Sequence, residues 1–224
     1  MGVLVAGLAV VALALMVWFQ VRQVRRVARD RRNAVARAEE VLTAIEVSQE
    51  GMGYPTIRGW YLGHEVKAEL IVDTLTLRQL PRLWLAVTVK RPTEMDIPVD
   101  IVLRPLSTDI VSPGGRFPCE HPRPPEWPAH LRIASLHPVS LERLGELEAL
   151  TAVVHDERTK SVLLAPRGVR IVTELARGDV ASHRVVRRPN FRFELDPIRL
   201  RRVLDAALDI ADEARSGSPV GTPA

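Results

Sequence analysis

Cysteine is almost absent. One residue, Cys119, stands in 224, which excludes an intramolecular disulfide and any Cys₂ or Cys₄ metal centre. Aromatics amount to only 4%, yet apolar residues reach 46% and charged residues 26%. A wholly disordered chain and a collagen-like one are excluded by that balance. Lysine is scarce as well: 3 residues against 28 arginines, a bias that argues for a GC-rich, bacterial genome. The excess of 31 basic over 27 acidic residues is only +4, so whole-chain charge says little about partners.

Nucleotide and hydrolase motifs are missing. No Gly-Lys-Ser/Thr occurs, so there is no Walker loop, and there is no G-x-S-x-G elbow. Gly51-Met52-Gly53 lacks a third glycine and a preceding strand, which leaves a dinucleotide loop unsupported. His64-Glu65 opens like the metalloprotease H-E-x-x-H, but Ala68 stands at the second ligand position. No N-x-Ser/Thr sequon is present.

One long apolar run is present. From Val3 to Val21 the only polar residue is Gln20. As a helix these 19 residues span about 28 Å, close to the ~30 Å hydrocarbon thickness of a bilayer. Trp18 and Phe19 sit at its end, where aromatics favour the interface. A cleaved signal peptide would carry a basic start and small residues after the run; Met1-Gly2 and Gln20-Val21-Arg22 provide neither. Residues 1–21 are therefore expected to be a retained transmembrane anchor.

Seven arginines follow between Arg22 and Arg37, against one acid, Asp30. Basic residues beside a span stay cytoplasmic, so the expected location is the inner (cytoplasmic) membrane, single-pass, with the C-terminal part in the cytoplasm. Arg22, Arg25, Arg26, Arg29, Arg31 and Arg32 are the candidate contacts with anionic headgroups, each worth about 1 kcal/mol near the surface. No aromatics interleave with this block, and it adjoins the bilayer, so nucleic acid is the poorer partner.

Residues 22–50 contain neither proline nor glycine and read as a basic juxtamembrane helix. Val21, Val24, Ala28, Val35, Ala38, Leu42 and Ile45 form an a/d heptad with Arg31 in the skipped d place. Such a stripe can make a coiled coil and hence a homo-oligomer through residues 21–45. Alternatively, it packs on the chain's own globular part.

Gly51-Met52-Gly53-Tyr54-Pro55 breaks the helix, and the periodicity then switches to two. Val66–Val72, Leu83–Val89 and Val99–Leu103 alternate as three strands, expected to form an antiparallel meander with one wet face; Thr56–Tyr61 is a further strand. Seven prolines between Pro105 and Pro128 predict a long irregular loop. A strand at His130–Ser135 follows. Then comes a helix with Pro138 in its first turn, Ser140 as cap and Leu141, Leu144, Leu147 and Leu150 as its stripe. Ala152–His155, Ser161–Leu164, Val169–Leu175 and Phe191–Leu195 read as strands, with Pro166-Arg167-Gly168 as a hairpin turn. Asp196-Pro197 opens a last helix whose apolar positions are Leu200, Val203, Leu204, Ala207, Leu208 and Ala211. The expected fold is α+β: a mainly antiparallel sheet with two covering helices over residues 51–215, in one lobe or two, and a disordered tail at 216–224.

Candidate chemistry is thin. Cys119, His121, His130 and His137 are the one local group with metal-binding side chains, but an extended strand would hold His130 and His137 some 20 Å apart. A nucleophilic Cys119 would need a base, and His121, two residues on, is expected to point elsewhere. No catalytic residue, metal or cofactor is expected. Trp127, in a proline-rich loop, either plugs that loop onto the domain or is an exposed docking residue.

Gly59-Trp60-Tyr61-Leu62-Gly63-His64-Glu65-Val66 and the closing Phe191-x-Phe193-x-Leu195-Asp196-Pro197…Leu204-Asp205-Ala206-Ala207-Leu208-Asp209-Ile210-Ala211 resemble segments of uncharacterised bacterial single-pass membrane proteins. The resemblance covers about a quarter of the chain. It implies a membrane segment beside an α+β domain of no assigned activity, and no site residues.

The expected function is a membrane-tethered binding or scaffold protein. The alternatives are an enzyme without a local motif and an extracytoplasmic domain of an envelope complex. An exposed apolar groove without clustered polar groups would favour binding; a pocket of ionisable groups with shifted pKa values would favour an enzyme.

Overall fold

The computed structural model describes residues 2–73, 81–103, 105, 112–178, 191 and 193–216. Expectations for the tail beyond 216 and for residue 192 lie outside them. The chain starts with helix α1 (Gly2–Asn33), followed by a 3₁₀ turn (Ala36–Glu40). Strands β1 (Thr43–Ser48), β2 (Thr56–Tyr61), β3 (His64–Asp73), β4 (Arg82–Lys90) and β5 (Val99–Leu103) come next. They are followed by β6 (Cys119–His121), β7 (Leu131–Ser135), helix α2 (Glu148–His155), β8 (Thr159–Ala165), β9 (Gly168–Arg177) and helix α3 (Pro197–Ser216).

The nine strands form one antiparallel sheet in the order β1-β2-β3-β4-β9-β8-β5-β7-β6. The α+β class stands, and strands from both ends of the domain interleave in a single sheet rather than forming two lobes. The meander stops at β4. The chain leaves β4, lays down β5 three places away, and the β8–β9 hairpin later fills the gap. Its turn is Pro166-Arg167 between the paired Ala165 and Gly168, with Gly168 at φ 154°. A Cβ there would meet the Val89 carbonyl oxygen at 2.1 Å, so only glycine fits.

Period-two alternation sends Leu85, Val87, Val89, Val162, Leu164, Val169 and Ile171 to one face. There Leu200, Leu204, Ala207, Ile210, Ala211 and Ala214 of α3 cover them, each fully buried. Asp196 opens α3 as expected: its Oδ1 accepts the Ile198 N–H at 3.0 Å. The other face carries a small apolar cluster, Trp84, Ala86 and Val172. Around it run ion pairs such as Arg82–Glu174, Lys67–Glu69 and Lys90–Glu65.

Several readings are corrected. The helix expected over 22–50 ends at Asn33, and 43–48 is the edge strand β1. The Ala34 carbonyl accepts the Leu195 N–H at 2.8 Å, so a tertiary contact replaces the next helical turn. Ala44, at φ 48°, then marks an irregularity near the start of β1, between Thr43 and Glu46. The folded unit consequently begins near Val35, not Gly51: Val35, Ala38 and Leu42 belong to the main core. Ala152–His155 is the end of α2, not a strand; Leu150 and Val154, four apart, are its buried positions. The single helix expected from Pro138 is divided: a 3₁₀ turn (Glu142–Glu146) precedes α2, and Leu147 between them is extended (ψ 102°), without a side-chain cap. The loop between Pro105 and Pro128 is less irregular than its prolines suggest, for it holds a 3₁₀ turn (Pro113–Arg116) and β6. Phe191 and residues 193–195 form no strand.

Among the described residues no helix is long and apolar enough to cross a membrane. Side chains of α1 are described at Leu8 and from Val10 onward. Leu8, Val10, Leu13, Met16, Trp18 and Phe19 are all exposed, Met16 at 69%.

Candidate functional site

At about 100° per residue, Val24, Val27, Ala28 and Arg31 share one side of α1, and they and the following Ala34 are half-buried. This side docks on the domain. Gln49 Nε2 donates to the Ala28 carbonyl at 3.1 Å. The Arg31 guanidinium lies 4.2 Å over the Tyr54 ring and donates to the Met52 carbonyl. Tyr54 in turn stacks at a tilt on Phe191 and Phe193, with centroids 6.4 and 5.8 Å away. Burial chiefly holds the Tyr54 phenol above its usual pKa.

The heptad stripe therefore does two things. Val24 and Ala28 face the domain, and Val35, Ala38 and Leu42 enter its core. No continuous helix over 21–45 is present to pair with a second copy. An arginine in the d place was the clue to self-packing: the position faces the domain, and a buried guanidinium needs the aromatic face and carbonyl it finds there.

Arg22, Arg25, Arg26, Arg29 and Arg32 lie on the remaining sides of α1 and are exposed. Arg22 reaches back over the Trp18 ring at 5.2 Å. Of the six candidate headgroup contacts, Arg31 alone is turned away and engaged by the domain. A cavity of about 500 Å³ opens where α1 leaves the domain, between Gln23, Arg26, Asp30 and the Phe191 and Phe193 rings.

Trp127 is 2% exposed. Its Nε1 donates to Thr151 Oγ1 at 3.1 Å, so it plugs the proline loop onto α2 and offers no docking surface. Beside it lies a cleft of about 520 Å³ lined by His121, Pro122, Pro124, Glu126, Leu141 and Glu146. His121 Nε2 stands 2.6 Å from Ser135 Oγ, which donates to the His137 carbonyl at 2.5 Å. The single hydroxyl proton is thus committed, and His121 must donate from Nε2. Ser135 is accordingly not activated by this imidazole. Burial lowers the His121 pKa.

Cys119 and His121, two apart on β6, lie on the same face of the strand, against the expectation that the imidazole points elsewhere. Cys119 Sγ approaches the Leu136 carbonyl at 4.0 Å. His130 is exposed. Among the described residues no group of three metal-binding side chains converges. His64, at the start of β3, contacts Arg91 rather than a second histidine. Asp156 sits on the turn between α2 and β8, where its Oδ1 accepts the Arg158 N–H at 2.9 Å.

A third feature was not singled out from the sequence. Between α2 and α3 runs an open groove of about 460 Å³ with a floor of Ala149, Ala152, Val153, Ile198 and Ala206. Ile198 is 70% exposed. Arg201, Arg202, Asp205 and Asp209 line its rim.

No family model, no curated protein and no solved structure matches this chain.

Proposed function

We propose that this chain is a membrane-tethered binding or scaffold protein, anchored by residues 1–21 in the inner membrane, with its domain in the cytoplasm. The observation that carries the reading is on α1. Its first half bears exposed Leu, Val, Met, Trp and Phe side chains, and of the arginines that follow, Arg22, Arg25, Arg26, Arg29 and Arg32 are exposed. Exposed apolar surface of that extent marks a membrane or partner contact. Arginines directly beyond it suit the headgroup layer and set the cytoplasmic orientation.

The apolar groove between α2 and α3 supports binding as the domain's role, with an amphipathic protein segment as the fitting partner. The cleft at His121 offers an enzyme less: the serine that His121 contacts, Ser135, is fully buried and already hydrogen-bonded to a carbonyl. Homo-oligomerisation through α1 would use its exposed sides and not the whole stripe from 21 to 45.

Paired C-terminal reporter fusions test the orientation. A reporter active only in the cytoplasm should work, and one active only after export should stay silent. Activity of the exported reporter would overturn the reading and favour the envelope alternative. Replacing Arg22, Arg25, Arg26, Arg29 and Arg32 by Gln should weaken the cytoplasmic signal.

A further inference from the structure

We infer that the cavity between α1 and the rings of Phe191 and Phe193 is a headgroup site, holding the phosphate of one anionic phospholipid on Arg26. The inference rests on the membrane-anchored reading above and adds a defined ligand to it.

Depth comes first. Arg26 lies five residues beyond Val21, the end of the apolar run, or about 7.5 Å along the helix. The headgroup layer extends about 5–7 Å beyond the hydrocarbon on each side. An arginine can bend back over that distance, as Arg22 does over Trp18. The Arg26 guanidinium is thus at phosphate level.

Chemistry comes second. Of the two arginines that line the cavity among the described residues, Arg31 is engaged by Tyr54 and the Met52 carbonyl. Arg26 is exposed, and among the described residues it makes no ion pair. Its planar fork can donate two parallel hydrogen bonds to a phosphate. Asp30 also lines the cavity. It opposes a doubly charged phosphate more than a monoanionic diester, and so favours a lipid over the free ion. Gln23 offers an amide for a headgroup hydroxyl, while Val27 and Phe193 give apolar walls for the glycerol carbons. A site formed between helix and domain would also hold the domain at one angle to the bilayer.

The experiment uses the full chain, released from phosphatidylcholine vesicles containing phosphatidylglycerol and weighed with its bound lipid by native mass spectrometry. The wild type should retain one phosphatidylglycerol and no phosphatidylcholine. Arg26→Gln should lose most of that retention, whereas Arg32→Gln removes the same charge outside the cavity and should keep it. Phe193→Ala should reduce retention with the charge unchanged. Equal losses in Arg26→Gln and Arg32→Gln would overturn the site in favour of diffuse attraction, with the anchor reading intact. Displacement of the lipid by inorganic phosphate at equal concentration would show a free-anion site and also overturn the proposal. A wild-type chain that never enters the vesicles would overturn both readings.

Discussion

Glu213 on α3 caps helix α2 across the helix pair: its Oε1 and Oε2 accept the Ala149 N–H at 3.1 and 3.0 Å. Leu147, the residue before α2, supplies no side-chain cap of its own. A short helix whose first N–H groups lack local partners is thereby fastened to the longer one.

Glu213→Ala should cost about 1 kcal/mol, as loss of a helix cap does, read as a lower urea midpoint. The pH dependence has a definite sign. Burial chiefly raises the Glu213 carboxyl above its ordinary 4.5, against the lowering effect of the Ala149 hydrogen bond. The folded state then holds the proton more tightly, so this stabilisation is full below pH 4.5 and is lost as pH rises through the raised value. The advantage of wild type over Glu213→Gln should shrink over that rise. A constant difference would contradict it.

Truncation should locate the start of the folded unit. Residues 34–224 keep Val35, Ala38, Leu42 and β1 and should fold cooperatively. Residues 51–224 lose them and uncover Ile57 and Tyr61. Burying one Val or Leu is worth about 1.5–3 kcal/mol, so Val35 and Leu42 together account for a large share of a marginal stability. Circular dichroism melts of the two fragments check this: the shorter should lack a sharp transition.

Trp127→Ala should destabilise by about 3–5 kcal/mol, the range for deleting a buried aromatic. Trp127→Phe should cost less, yet leave Thr151 without its indole donor. An effect below the error of chemical denaturation would return Trp127 to the surface and to the docking role.

His121 titrates in the opposite direction to Glu213. Burial lowers its pKa below the ordinary 6.5, so the stabilisation linked to it is present above pH 6.5 and lost as pH falls through the lowered value. His121→Gln should flatten that part of the stability profile. An unchanged acid limb would show that the imidazole is solvated.

Much of this fold was readable from periodicity. β2, β3, β4 and the β8–β9 hairpin carry alternating residues between turn formers, and α3 has Asp196-Pro197 at its start. The missed elements share a cause. In β1, Ile45 and Val47 alternate as a strand should, but Leu42 and Ile45 also satisfy a helical step, and only a tertiary hydrogen bond at Ala34 decides between them. At Ala152-Val153-Val154 a short apolar run fits either period; Leu150 four residues before Val154 settles it. The β5 position depends on which strands fill the gap, and no local pattern encodes that. The arginines were legible as a charged block. That Arg31 faces inward was legible only as an anomaly in the heptad, because its partner Tyr54 stands 23 residues away in sequence.

Alkaline carbonate extraction of membranes tests the central claim most directly, comparing the full chain with residues 34–224. The account predicts that the full chain stays in the pellet and that the fragment without α1 is released. Release of the full chain into the supernatant would contradict it, and would leave the exposed apolar half of α1 to be explained by a protein partner.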